Sequence, residues 1–265
     1  SIWKMTSNNE LPLEGRVAIV TGSSRGIGRA IASHLHSLGA KVVVNYLTSS
    51  ALAQQLLDQL NQSEPSTSPR AISVRADVSN AEDVKLLFDA AEKHFNSPVH
   101  IVVYNAGVMN TSYPYLVNTA LQDFDYVYGV NTRGAFLSSR EAANRVPPGG
   151  GGRIIMITTS ATANLLPGYS AYASSKAAVE VMAKILAKEL ETKKITVNCV
   201  SPGPVHTKLF SAGKTEEMIR SLEEACPLGR IGEPEDISRI VGFLASDAGE
   251  LINGQVIMAN GGFIV

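Results

Sequence analysis

The stretch RVAIVTGSSRGIGRAIASHLHSLG, Arg16 to Gly39, decides the fold. Its first apolar run, Val17 to Val20, has no polar alternation, as expected of a strand covered on both faces. Gly22, Gly26 and Gly28 follow at the spacing GxxxGxG, and apolar residues then recur with a helical period at Ile27, Ile31 and Leu35. Gly39 falls where a helix ends. Glycines between a strand and a helix let the backbone turn sharply and approach a pyrophosphate, whose charge meets the helix amides and dipole. A tight turn alone can also need glycine, but the placement in the first strand–turn–helix unit favours the anion.

The alternation continues outward from this unit. KVVVNY (41–46), RAISVRADV (70–78), VHIVVYNAG (99–107), RIIMITT (153–159), ITVNCVSPG (195–203) and GQVIMANGG (254–262) read as further strands. Between them lie helix-period segments: SSALAQQLLDQL, AEDVKLLFDAAEKHF, the long DFDYVYGVNTRGAFLSSREAANRV, YASSKAAVEVMAKILAKEL and a segment from Pro234 to about Ala245. The pattern predicts one α/β domain over 1–265, a Rossmann-type doubly wound parallel sheet of about seven strands with helices on both faces. QSEPSTSP and PPGGGG are too short to link domains. The native start is expected at Met5, with Ser1 to Lys4 an addition ahead of it.

Composition narrows the function. Lys and Arg total 23 against 24 Asp and Glu, a net charge of −1, which disfavours nucleic acid or an anionic membrane as partner. No apolar run is long enough to span a bilayer. The two cysteines, Cys199 and Cys226, have neither a disulfide framework nor a metal-ligand spacing around them. The expectation is a cytoplasmic protein without a metal; an organellar form whose transit peptide has been removed would look the same.

Tyr172 and Lys176 stand at i,i+4 on a helix whose other residues are small and apolar. A phenol titrates near 10, so acid–base work near neutrality needs its anion stabilised. One ammonium at about 4 Å is worth roughly 4 kcal/mol at an effective dielectric of about 20. That is enough to bring Tyr172 near neutrality by itself.

These motifs together resemble the short-chain dehydrogenase/reductase family. The resemblance rests on the glycine loop Thr21 to Gly28, Asp77-Val78, Asn105-Ala106-Gly107, Asn131, the YxxxK of Tyr172 and Lys176, Pro202-Gly203-Pro204-Val205-His206-Thr207, and Asn260-Gly261-Gly262. It implies that Tyr172 is the general acid and base. Lys176 would also bind the nicotinamide ribose, and Asn131 would hold a water that links Lys176 to solvent. A hydroxyl would stabilise the developing alkoxide. Where relatives usually have serine this chain has Thr159, with Ser160 next to it as the alternative. The cofactor site implied comprises Gly22, Ser24, Arg25, Gly26, Ile27, Gly28, Asn45, Thr48, Ser49, Asp77, Val78, Asn105, Ala106, Gly107, Pro202, Gly203, Val205 and Thr207, beside Tyr172 and Lys176.

The end of the second strand, Val44-Asn45-Tyr46, lacks the carboxylate that would bind a ribose 2′-hydroxyl and repel a 2′-phosphate. Arg25 and the turn Thr48-Ser49-Ser50 suit that phosphate, so the cofactor expected is NADP(H). Met109, Tyr113, Leu165, Leu166, Tyr169, Leu209 and Phe210 are placed to form an apolar pocket, and no arginine pair is placed to grip an anionic substrate. The reading is reduction of a small or medium, mostly apolar aldehyde or ketone. A 3-oxoacyl thioester reductase and a non-catalytic NADP(H)-binding sensor or scaffold are the alternatives. PGYSAYASSKAAVE and PLGRIGEPEDI are similar to NADPH-dependent aldehyde reductase-like members of plants and bacteria. Leu209 to Cys226 is expected to form a lid helix. By resemblance, the assembly is a homotetramer or homodimer.

Overall fold

The computed structural model describes residues 11–62 and 69–265. The expected start at Met5 lies outside the described residues, as does most of the QSEPSTSP loop. In chain order the elements are β1 (Val17–Val20), α1 (Gly26–Ser37), β2 (Lys41–Tyr46), α2 (Ser50–Gln62), β3 (Ala71–Arg75), α3 (Ala81–Phe95), β4 (Ile101–Tyr104), α4 (Leu121–Tyr128) and α5 (Gly134–Arg145). They continue with β5 (Arg153–Ile157), α6 (Ala161–Asn164), α7 (Ser170–Glu189), β6 (Thr196–Pro202), α8 (Lys208–Ser211), α9 (Glu216–Ala225), α10 (Pro234–Ala245) and β7 (Val256–Ala259).

All seven strands pair in parallel in the order β3-β2-β1-β4-β5-β6-β7. Strand periodicity divides the core into two layers. Val17 and Ile19 of β1, Val102 of β4 and Ile154 of β5 face α3, α5 and α7. Their neighbours Ala18, Val20, Val103 and Ile155 face α1, α2 and α10. Burying a Val, Leu or Ile side chain contributes roughly 1.5–3 kcal/mol, so both layers are needed to offset chain ordering. Helix starts follow local chemistry. Asn80 caps α3 by accepting from the amides of Glu82 (2.9 Å) and Asp83 (3.2 Å), an arrangement worth about 1 kcal/mol.

The strand order reverses between β1 and β4. Loops after these strands diverge to opposite faces and leave a crevice at the carboxyl edge, where ligands bind in such sheets.

Two segments depart from expectation. The long helix predicted across 123–146 carries a π-helical turn at Gly129–Arg133 between α4 and α5. The lid predicted as one helix is two, α8 and α9, broken at Gly213 (φ 75°). A Cβ on Gly213 would stand 2.3 Å from the Thr111 carbonyl oxygen, so the break presses against the loop after β4.

Candidate active site

A cleft of about 1330 Å³ lies over the strand-order reversal and runs from the glycine loop to Tyr172 and the lid. At one end, Gly22 has φ 60° and Gly26 φ 57°, both favouring glycine. A Cβ on Gly28 would come within 2.4 Å of Asn105 Nδ2 and 2.5 Å of the Gly22 carbonyl oxygen. This bare backbone opening onto the first turn of α1 fits a pyrophosphate.

Neighbouring loops are stitched to the cradle. Thr21 Oγ1 accepts from the amides of Asn105 (2.9 Å) and Ala106 (3.0 Å). Asn105 Nδ2 donates to the carbonyls of Thr21 and Gly22, both at 3.0 Å. Asn45 has a structural part beside the cleft. It borders the cleft, but its buried side chain accepts from Gly22 N (3.0 Å) and donates to the Ala76 carbonyl (3.1 Å). With a further bond from Nδ2 to the Val74 carbonyl (3.3 Å), it fastens the glycine loop to β3. Asp77 similarly accepts from the Ser79 amide (2.9 Å) and hydroxyl (2.7 Å), while bordering the cleft together with Val78.

The other predicted cofactor residues, Ser24, Arg25, Ile27, Thr48, Ser49, Ala106, Gly107, Pro202, Gly203, Val205 and Thr207, all line this cleft. Arg25 is exposed at its mouth, with no ion pair among the described residues.

At the far end, Tyr172, Lys176 and Thr159 converge. Thr159 stands near enough to Tyr172 to draw its phenol downward, so of the two hydroxyls considered it is Thr159 that neighbours the phenol. Ser160 is buried, and its amide donates to the Pro202 carbonyl (2.8 Å). Lys176 is 3% exposed, and its Nζ donates to the Ile157 carbonyl at 2.8 Å. Burial brings its ammonium down to about 8. The same burial pushes the Tyr172 phenol above its usual range, against the lowering effect of Thr159. Desolvation is the largest cause of the Tyr172 shift, and Lys176 is engaged by the Ile157 carbonyl.

Asn131 sits in the π turn and is fully buried. Its Oδ1 accepts from Val108 N (2.8 Å), while Nδ2 donates to the Val108 carbonyl (2.9 Å) and to Ser175 Oγ (3.0 Å). One side chain thus ties the loop after β4 to α7, the helix of Tyr172.

The lid closes over this end. Lys214, which the sequence reading missed, donates to Tyr113 Oη and to the Phe210 carbonyl (2.8 Å), with Nζ 4.7 Å from the centroids of both rings. Tyr113 Oη donates to the Ala212 carbonyl (3.0 Å), and its ring packs 5.2 Å from Tyr169. Met109, Leu166, Leu209 and Phe210 line the cleft as expected, but Leu165 does not and is 75% exposed. His206 also borders the cleft, with Nε2 3.4 Å from Glu223 and 3.7 Å from Glu233.

A parallel sheet with a glycine cradle at its switch point, and a Tyr/Lys/hydroxyl group at the other end of one cleft, defines a dinucleotide-binding α/β protein. The family model described as Enoyl-(Acyl carrier protein) reductase matches residues 22–264. The chain is 54% identical over 265 residues to a protein of Arabidopsis thaliana named NADPH-dependent aldehyde reductase 2, chloroplastic, covering 98% of this chain and 97% of that one. A second Arabidopsis protein, NADPH-dependent aldehyde reductase-like protein, chloroplastic, is 53% identical over 263 residues, with 97% of each chain covered. Among solved structures, a short-chain dehydrogenase from Burkholderia cenocepacia in complex with NADP superposes with a TM-score of 0.87 at 31% identity, over 95% of this chain and 99% of that one. The chain belongs to the short-chain dehydrogenase/reductase family.

Proposed function

We propose that this protein is an NADPH-dependent carbonyl reductase acting on uncharged, mostly apolar aldehydes or ketones, with Tyr172 as general acid. The observation that carries the reading is the convergence of Tyr172, Thr159 and Lys176 at the apolar, lidded end of a cleft whose other end is a glycine cradle. When bound, the reduced nicotinamide supplies the hydride. The chain's own residues manage the proton and the charge. Tyr172 Oη gives its proton to the carbonyl oxygen, and Thr159 donates a hydrogen bond to the oxygen as negative charge builds there. Burial keeps Tyr172 protonated, the form an acid needs. Once the proton has left, the Lys176 ammonium offsets the phenolate charge in a site from which the lid excludes water.

The preference for NADPH rests on Arg25 at the cleft mouth, on the free amides near Thr48 and Ser49, and on the absence of a carboxylate at the end of β2. The naming of both Arabidopsis relatives for NADPH supports it. Those relatives are named chloroplastic, which favours an organellar setting over the cytosol. Among the described residues no helix is long and apolar enough to cross a membrane.

Cofactor oxidation by the purified protein, NADPH beside NADH, against apolar aldehydes, ketones and 3-oxoacyl thioesters tests the reading. NADPH-selective turnover of simple aldehydes or ketones supports it. Turnover confined to thioesters replaces the substrate class, and tight binding without turnover of any carbonyl refutes the enzymatic reading.

A further inference from the structure

Tyr172, Lys176 and Glu180 occupy i, i+4 and i+8 on α7 and so form one stripe along about 12 Å of helix. The stripe meets the end of β5 and the turn beyond it. Tyr172 meets Thr159, Lys176 binds the Ile157 carbonyl at 2.8 Å, and the half-buried Glu180 meets Thr162 in the turn beyond. Thr162 Oγ1 donates to both Glu180 Oε1 (3.2 Å) and the Thr159 carbonyl oxygen (2.9 Å), while Thr158, whose hydroxyl donates to the Val200 carbonyl (3.4 Å), lies near enough to draw the carboxyl downward.

We propose that Glu180 is a positioning residue for the reaction: its carboxylate holds Thr162, whose hydroxyl also holds the Thr159 carbonyl, and thereby keeps the Thr159 hydroxyl beside Tyr172. The proposal rests on the roles given above to Tyr172 and Thr159.

The placement argues against a merely solvated charge. Glu180 is half-buried beside the Cys199 thiol of β6, and burial pushes that thiol up to about 12, so it stays neutral. The cation facing the carboxylate is Lys184 on the same helix, and burial holds the Glu180 carboxyl above its usual range despite Thr158, Thr162 and Lys184. A carboxylate kept in such surroundings needs its hydroxyl donor. That donor comes from the turn that carries Thr159. The turn has few other ties to α7: Thr159 Oγ1 accepts weakly from Ala161 N (3.3 Å), and the Thr158 and Ser160 amides bind Val200 and Pro202 of β6 (both 2.8 Å). Strand β6 thus fixes the turn to the sheet, and Glu180 fixes it to the helix that bears the acid.

The test is a set of single variants and one double-mutant cycle, read as kcat, KM for an aldehyde and NADPH affinity. Glu180→Ala is expected to lower kcat about tenfold, since small misplacements at a reacting centre are costly, with KM and NADPH affinity within about twofold. Glu180→Gln keeps an acceptor oxygen and is expected to restore kcat to within about threefold of wild type. Thr162→Val severs the clamp without touching Glu180, and a loss of about threefold is expected. That variant decides the matter if Glu180→Ala does not fold. In a Thr159→Ala background, where the group being positioned is gone, Glu180→Ala is expected to add no further loss.

Full kcat in Glu180→Ala or, failing its folding, in Thr162→Val would overturn the proposal, as would losses that multiply in the double variant. Thr159→Ala with full kcat would overturn the role of Thr159 and the clamp with it. Loss in Thr159→Ala alone would leave Thr159 in place and remove only Glu180.

Discussion

Lys176 carries its charge in a place that resists it. Burial brings its ammonium down to about 8, against an unfolded value near 10.4. A depressed folded pKa means that the native state binds fewer protons than the unfolded chain above about pH 8. Its contribution to stability is therefore highest above the unfolded value and is lost as pH falls through about 8. Lys176→Met should raise the thermal midpoint at pH 7, by on the order of 1–3 kcal/mol of stability, while abolishing turnover. The gain should shrink toward pH 10, and melting curves across that range check both sign and window. Arg25 sits at the opposite limit, exposed and without an ion pair among the described residues. Arg25→Ala should weaken NADPH binding about tenfold or more and leave NADH nearly unchanged, as titrations of the two cofactors would show. Tyr172, Lys176 and Arg25 were legible in the sequence because spacing along one element reveals them. The structural duty of Asn45 and the ring contacts of Lys214 were not. Both depend on partners distant in the chain: Asn45 on Gly22 and Ala76, Lys214 on Tyr113.

At the scale of elements, the strand–glycine–helix unit was readable almost to the residue, since β1 and α1 fall where the apolar run and the helical period place them. The π turn was hidden. Gly129 and Gly134 both keep right-handed helical dihedrals, so no breaker marks it. Gly134 is explained by proximity instead, because a Cβ there would lie 2.4 Å from Tyr104 Oη. The extra residue of the turn turns Asn131 inward to Val108 and Ser175. Gly28 makes the sharpest prediction at this scale. In Gly28→Ala the new Cβ would collide with the Gly22 carbonyl and Asn105, 2.5 and 2.4 Å away. Both contacts belong to the cradle wall, so NADPH binding should fall at least tenfold, with lowered stability, measurable by fluorescence titration and thermal melting.

At the scale of the whole molecule, neighbouring helices α4, α5 and α7 leave large apolar side chains uncovered among the described residues. Val181 and Ile185 of α7 are 57% and 52% exposed, and Leu121 of α4 and Phe136 of α5 are 74% and 49% exposed. Exposed apolar side chains on adjacent helices suit an interaction site, and a second copy of the chain is the occupant we propose, in line with the assembly expected from resemblance. Val181→Glu should then yield a smaller species on analytical ultracentrifugation while the secondary structure is kept. Sequence alone pointed to about seven apolar strands, and the sheet has seven. Sequence could not show which helix faces stay bare, because helical period reveals that a helix has an apolar stripe but not how much of it a neighbour covers.

The central claim is that Tyr172 delivers the proton, and the direct measurement is single-turnover and steady-state NADPH oxidation by Tyr172→Phe beside a titration of NADPH binding. The account predicts turnover reduced at least a hundredfold with cofactor affinity within about twofold of wild type, since the phenyl ring keeps the packing and loses only the hydroxyl. Turnover within a few-fold of wild type would contradict it, and another group in the cleft would have to be the acid.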